Sequence, residues 1–284
     1  MTSSLISRTC LVTGGSAGIG FVTARELARL GAEVTIVARN VERGRAAAAA
    51  IHSATGAEAV EFVAVDLSDQ GQVRDFADAF RSRHPKLDVL VNNAGGLFGE
   101  RQTSVDGIEM TFALNHLSYF LLSHLLLPSL QAAAAGRIVN VASEAHRGAR
   151  LDFDDLQGEM RYSRWHAYKR SKLANLMFTY EFARRFAGRG PTMNALHPGF
   201  VATDIGVRHG FVPKLFWTIG KLGATSPEKG AETSIYLASA ADVAEISGRY
   251  FVGCRPAQSS AASYDREAAQ RLWDISANLT NTGP

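Results

Sequence analysis

The sequence predicts an α/β fold: a doubly wound sheet of seven parallel strands with helices on both faces, in a single domain covering residues 1–284. Three observations carry that prediction. Short apolar runs alternate with helix-like segments along the whole chain, the pattern that builds strand–helix–strand units. The runs are continuously apolar, as in Val34-Thr35-Ile36-Val37-Ala38, because a parallel sheet is covered on both faces. Glycine, asparagine, aspartate and serine gather where the runs end, at the carboxyl edge where such sheets bind ligands. At 284 residues the chain exceeds an average domain, but α/β sheets reach this size undivided. No linker or internal repeat interrupts it.

The first strand is predicted at 9–13 and runs into Thr13-Gly14-Gly15-Ser16-Ala17-Gly18-Ile19-Gly20, after which a helix starts at Phe21-Val22-Thr23-Ala24. Strand, glycine turn and helix in that order form the Rossmann-type context in which backbone amides cradle a phosphate. Gly14 supplies the tight turn, while Gly18 and Gly20 remove Cβ atoms that would hold a pyrophosphate away from the amides. The second strand, 33–38, ends in Ala38-Arg39-Asn40, with no carboxylate before Glu42. A carboxylate there would bind the ribose hydroxyls of NAD, whereas Arg39 suits the 2′-phosphate of NADP, with Ser16 as a further donor. NADP(H) is the favoured cofactor and NAD(H) the alternative.

The third strand, 60–65, closes in Asp66-Leu67, and the fourth, 87–91, in Asn92-Asn93-Ala94-Gly95. The apolar stretch from Leu114 to Leu130 contains Asn115, His116, Ser118, Ser123, His124 and Pro128, which predicts a buried interface helix and not a membrane span. The fifth strand, 136–142, closes in Ser143. Tyr168 and Lys172 follow, four residues apart and so on one face of a helix. The sixth strand, 192–197, closes in Pro198-Gly199-Phe200-Val201-Ala202-Thr203, and the seventh, 249–252, leads to a C-terminal extension of about 254–284.

With TGxxxGxG, NNAG, a strand-end serine, YxxxK and Pro-Gly in this order, the chain resembles the short-chain dehydrogenase/reductase family over nearly its whole length. Leu114 to Leu122, Arg137 to His146, Ser171 to Asn175 and Arg271 to Ser276 are similar to its retinol dehydrogenase branch. The resemblance implies hydride transfer between a nicotinamide and an alcohol, aldehyde or ketone. Asn115, Ser143, Tyr168 and Lys172 would be its catalytic residues: Ser143 orienting the carbonyl oxygen, Asn115 holding a water that links Lys172 to solvent. The cofactor would be held by Gly14, Ser16, Gly18, Ile19, Gly20, Arg39, Asn40, Asp66, Leu67, Asn93, Ala94, Gly95, Tyr168, Lys172, Pro198, Val201 and Thr203. A phenol titrates near 10, so Tyr168 needs the Lys172 ammonium beside it to hold its pKa down.

In the resembled family, residues of about 204–226 form a substrate lid. Here that segment includes Gly210-Phe211-Val212-Pro213-Lys214-Leu215-Phe216-Trp217, which suits a lipophilic substrate or a peripheral membrane contact. Relatives pair through helices placed here near 104–127 and 165–187, giving homodimers or homotetramers, whereas some members with lipophilic substrates do not. The opening Met1 to Arg8 is too short and polar for a signal or anchor. A net charge of +3 without a basic block argues against a nucleic-acid partner. Two unpaired cysteines, Cys10 and Cys254, read as buried inert thiols of a cytoplasmic protein. The histidines show no metal-ligand spacing, so no metal is expected. The alternatives are an NADP(H) sensor without turnover, and an epimerase.

Overall fold

The computed structural model describes residues 2–199 and 226–283. Its sheet contains β1 (Thr9–Thr13), β2 (Glu33–Ala38), β3 (Val60–Ala64), β4 (Val89–Asn92), β5 (Arg137–Val141), β6 (Thr192–His197), β7 (Tyr250–Val252) and β8 (Arg255–Ala257). Their order is β3-β2-β1-β4-β5-β6-β7-β8. The chain leaves β3 on one edge and crosses to β4 beside β1, so the topological switch lies between β1 and β4, where ligand crevices form.

One strand was missed. The predicted seven parallel strands are present, and β8 adds an antiparallel eighth, pairing Val252 with Arg255 and Phe251 with Pro256. Gly253 and Cys254, at φ +56° and +60°, form the two-residue turn between them, both in the left-handed region that a tight hairpin demands. A proline is tolerated there because β8 is an edge strand. Cys254 therefore sits partly exposed in a turn, its amide bonded to Thr233 Oγ1 at 3.2 Å. It is not the buried thiol expected, whereas Cys10 is fully buried and its thiol pushed far up by burial.

Within each apolar run, neighbouring residues face opposite layers. Leu11 and Ile138 point to the layer of Phe76, Phe80, Phe120, Phe178 and Trp273. Cys10, Val12 and Val139 point to the layer of Leu27, Ile51 and Leu237. The second layer is made by helices α1 (Gly18–Arg29), α2 (Val41–Thr55) and α8 (Pro227–Ser239). The first is made by α3 (Gln70–Arg83), α5 (Ser118–Leu125), α7 (Arg164–Arg185) and α9 (Arg266–Leu279). Removing each such side chain from water contributes roughly 1.5–3 kcal/mol.

The stretch 114–130 does not form one helix. Glu109, buried, caps α4 (Met110–Phe112) by accepting from the amides of Thr111 and Phe112 at 2.8 Å. A π-helical turn, Ala113–Leu117, follows, then α5 and α6 (Leu127–Gln131). The interface expected of this stretch is supplied by the chain itself: Trp273 of α9 packs against Phe120, His124 and Phe178, with ring centres 5.1, 5.0 and 5.9 Å away. Thus α9 covers the α5 and α7 surface through which relatives were expected to pair. Among the described residues, no helix is long and apolar enough to cross a membrane.

Candidate active site

The carboxyl ends of β1 and β4 are stitched together by Thr13. Its hydroxyl donates to Val91 O at 3.3 Å and accepts from the amides of Asn93 and Ala94 at 2.8 and 3.0 Å. Asn93 Nδ2 returns a bond to Thr13 O at 2.8 Å. Gly14 and Gly18, at φ +68° and +56°, take the left-handed conformation that the turn requires. Helix α1 then starts with no side-chain cap from Ala17 and no acidic residue in its first turn. Its first amides remain available to an anion, which fits a pyrophosphate. Gly20 has a structural role as well: a Cβ there would lie 2.4 Å from both Asn93 Nδ2 and Gly14 O. Its missing side chain lets the turn close on β4.

At the ends of β2 and β3, on the other side of β1, lie Arg39, Asn40, Asp66 and Leu67 of the predicted cofactor set. Arg39 is exposed, its guanidinium 3.6 Å from Asp66. Asp66 Oδ1 meanwhile accepts from the amide and hydroxyl of Ser68 at 3.0 and 2.6 Å. Asn40 Oδ1 accepts from the Arg43 amide at 2.8 Å and so caps α2. Ile19 and Leu67 are buried in the packing, and Ser16 is half-buried in the turn. Ala94 O accepts from Tyr119 Oη at 2.8 Å. Pro198 directly follows β6. Val201, Thr203 and the predicted lid, apart from Ser226, lie outside the described residues.

The four predicted catalytic residues come together from three elements. Ser143 follows β5 and accepts from the Ala145 amide at 3.1 Å. Tyr168 and Lys172 rise from α7. The Lys172 ammonium is buried, donates to Val141 O at 2.9 Å, and stands 5.7 Å from the Tyr168 ring centre and 5.9 Å from that of Tyr119. Burial lowers Lys172 to about 8. For Tyr168, burial raises the phenol above its ordinary value and the hydrogen bond with Ser143 pulls it back only in part. The ammonium expected to hold the phenol down turns its Nζ to the β5 carbonyl, and burial is the largest influence on the phenol. At neutral pH the pair is therefore a phenol beside an ammonium.

Asn115 is fully buried in the π-helical turn. Its Oδ1 accepts from the Gly96 amide at 2.8 Å, and its Nδ2 donates to Gly96 O and Ser171 Oγ at 2.9 and 3.0 Å. Its backbone carbonyl accepts from Asn175 Nδ2 at 2.9 Å. The side chain thus clamps the loop after β4 with both of its N–H groups, so the expected water could meet Asn115 only at an oxygen. Gly95 ties this centre to the cofactor edge, since a Cβ there would lie 3.3 Å from Asn115 Oδ1 and 3.6 Å from Lys172 Nζ.

The sequence reading gave no roles to Thr13, Ser171 or Asn175. A signal existed for the last: Lys172 and Asn175 follow Tyr168 by four and seven residues, one face of a helix. Also unforeseen was a buried amide ladder under the site. Asn92 Nδ2 donates to Asn140 Oδ1 at 2.9 Å, and Asn140 Nδ2 to Thr179 Oγ1 at 3.0 Å.

An open glycine turn and a Ser-Tyr-Lys cluster on one doubly wound sheet define the class: a dinucleotide-binding oxidoreductase. Comparison with known proteins narrows it. A family model for short chain dehydrogenase matches residues 8–209. Human (Homo sapiens) retinol dehydrogenase 11 is 41% identical over 278 residues, covering 98% of this chain and 87% of that protein. Mouse (Mus musculus) retinol dehydrogenase 12 is 42% identical over 269 residues, covering 95% and 85%. Among solved structures, an uncharacterized protein from Mycobacterium paratuberculosis superposes with a TM-score of 0.81 at 36% identity, covering 99% and 96% of the two chains. A short chain dehydrogenase from Shigella flexneri, complexed with NADP, gives 0.73 at 25% identity, covering 90% and 100%. The chain belongs to the short-chain dehydrogenase/reductase family and is retinol dehydrogenase-like within it.

Proposed function

We propose that this chain is an NADP(H)-dependent oxidoreductase interconverting a lipophilic alcohol and its aldehyde or ketone, with Tyr168 as acid and base. The observation that carries the reading is the buried Tyr168 phenol, under the influence of Ser143 and beside the Lys172 ammonium, at the strand edge that also holds the open glycine turn. The nicotinamide supplies or accepts the hydride when bound. Gly14, Ser16, Gly18 and the first amides of α1 would hold its pyrophosphate, and Arg39, freed from its loose pairing with Asp66, a 2′-phosphate. The NADP complex of the Shigella relative supports that preference.

The chain's own groups then divide the work. Tyr168 holds the proton at its phenol oxygen and gives it to the substrate oxygen in reduction, or takes it in oxidation. Ser143 donates a hydrogen bond to the same oxygen and fixes its direction. Lys172, charged below about pH 8, stabilises the phenolate left behind. Asn115 keeps Gly96 and the neighbouring Gly95 out of the space these groups share.

A lipophilic substrate is supported by the retinol dehydrogenase relatives and by Trp165, 53% exposed, whose ring stands edge-on to Tyr168 at 6.4 Å. A half-wet indole beside the proton donor is an apolar wall. The reading includes a reducing, cytoplasmic setting, which two free thiols fit. The test is NADPH oxidation across aldehydes and ketones of increasing apolar size. Turnover rising with size supports the reading. Tight NADPH binding with silence across the whole panel would replace it with a sensor.

A further inference from the structure

Two buried histidines outside the catalytic four join the C-terminal extension to that centre. His116, fully buried in the π-helical turn, lies 3.2 Å through Nδ1 from Asn175 Oδ1 and 2.9 Å through Nε2 from Ser276 Oγ of α9. Asn175 spends its Nδ2 on the Asn115 carbonyl, so its Oδ1 can only accept and His116 must carry its proton on Nδ1. His146 repeats the arrangement. Its Nδ1 donates to Ser143 O at 2.6 Å and its Nε2 accepts from the Ser260 amide at 3.0 Å. Both ends there are backbone groups, which fixes the same tautomer.

We propose that His116 and His146 are positioning residues, and that through them the segment from Ser260 to Ser276 forms part of the catalytic centre. His146 holds the carbonyl of Ser143 directly. His116 holds that of Asn115 through Asn175. Burying an imidazole without directed partners costs free energy that an aromatic ring of similar shape would not, and here one partner of each ring leads to a catalytic residue and the other to the C-terminal segment. Burial also keeps His116 neutral, down to about 4, so Nε2 remains an acceptor at working pH. The C-terminal helix is anchored at its far end as well: Gln70 Nε2 donates to Leu279 O at 3.0 Å and the Arg74 guanidinium to Thr280 O. The two histidines therefore couple the catalytic carbonyls to a fixed support.

The proposal rests on the function proposed above, and its test separates the two. Ser276→Ala, His116→Phe and His146→Phe are assayed with the best substrate of the panel, beside Tyr168→Phe. Displacing a catalytic group by a fraction of an ångström predicts kcat lower by about ten- to a hundredfold, with the KM for NADPH unchanged. Ser276→Thr, which keeps the hydroxyl, restores kcat, and Ser276→Ala adds nothing in the His116→Phe background because both cut one chain of bonds. A purely structural role would lower the melting temperature and leave the kcat of the folded protein alone. Should His116→Phe not fold, Ser276→Ala and its rescue carry the test. An inactive Tyr168→Phe with wild-type kcat in Ser276→Ala and His146→Phe would overturn the positioning role alone. Turnover retained by Tyr168→Phe would overturn the function and this proposal together.

Discussion

The two halves of the crevice are built from different materials. The cofactor half, at the ends of β1, β2 and β3, is made of backbone: Gly14 and Gly18 in left-handed conformations, an uncapped helix start, and the single hydroxyl of Thr13 as a rivet. The catalytic half, around β5 and α7, is made of buried side chains: Asn115, Asn175 and His116 in one chain of hydrogen bonds, with Lys172 held by Val141 O and His146 by Ser143 O beside it. Backbone cradles recognise phosphate by shape and amide direction, so most side chains there can vary. A proton site needs pKa control, and only desolvation and directed partners supply that.

The difference can be broken or sharpened by experiment. The largest effect should come from Tyr168→Phe, which removes the proton carrier and leaves its ring: turnover falls by about 10²–10⁴-fold, while NADPH affinity, measured by fluorescence quenching, holds. Comparable turnover in the variant would mean that the proton passes elsewhere.

Next is the acid response of the catalytic half. His116 titrates at about 4 in the folded chain against roughly 6.5 unfolded. Between those values the unfolded chain binds more protons, so stability drops as pH falls through that window, by up to about 3 kcal/mol below it. Urea unfolding at pH 7 and pH 4.5 measures it, and His116→Phe should show a smaller loss between the two. Equal losses in both proteins would show that other groups set the acid limit.

In the cofactor half, Gly20→Ala pits two effects against each other. Helix propensity favours alanine by about 1 kcal/mol, but a Cβ placed 2.4 Å from Gly14 O and Asn93 Nδ2 forces the turn off β4, at a cost of about 1–3 kcal/mol. The clash should win, with a lower melting temperature and weaker NADPH binding. A rise in melting temperature would show that the turn relaxes freely. The smallest effect is expected of Arg39→Ala. Loss of one charged hydrogen bond to a 2′-phosphate raises the KM for NADPH about tenfold and leaves that for NADH unchanged. An equal rise for both cofactors would remove the phosphate role.

Legibility follows the same division. The glycine turn and seven strands could be read from the chain because their signals are local: a continuous apolar run, a breaker, a helix. Strand β8 could not, since Arg255-Pro256-Ala257 carries no apolar run and is placed only by the turn at Gly253 and Cys254. The four candidate residues Asn115, Ser143, Tyr168 and Lys172 could be picked out by type and spacing, but their electrostatics could not. Nothing local reveals that Lys172 points to Val141 O, or that burial governs the phenol of Tyr168.

The amino-acid order alone determined the parallel doubly wound sheet, the family, and which side chains are candidates for the chemistry, because periodicity and turn residues act over a few positions. Only the tertiary structure decided what surrounds them. It laid α9 over the face expected to pair, set His116 between Asn175 and Ser276, and turned Gly20 toward Asn93. Those outcomes depend on contacts between residues as far apart as His116 and Ser276, and burial, which sets both packing and pKa, is a property of the assembled fold.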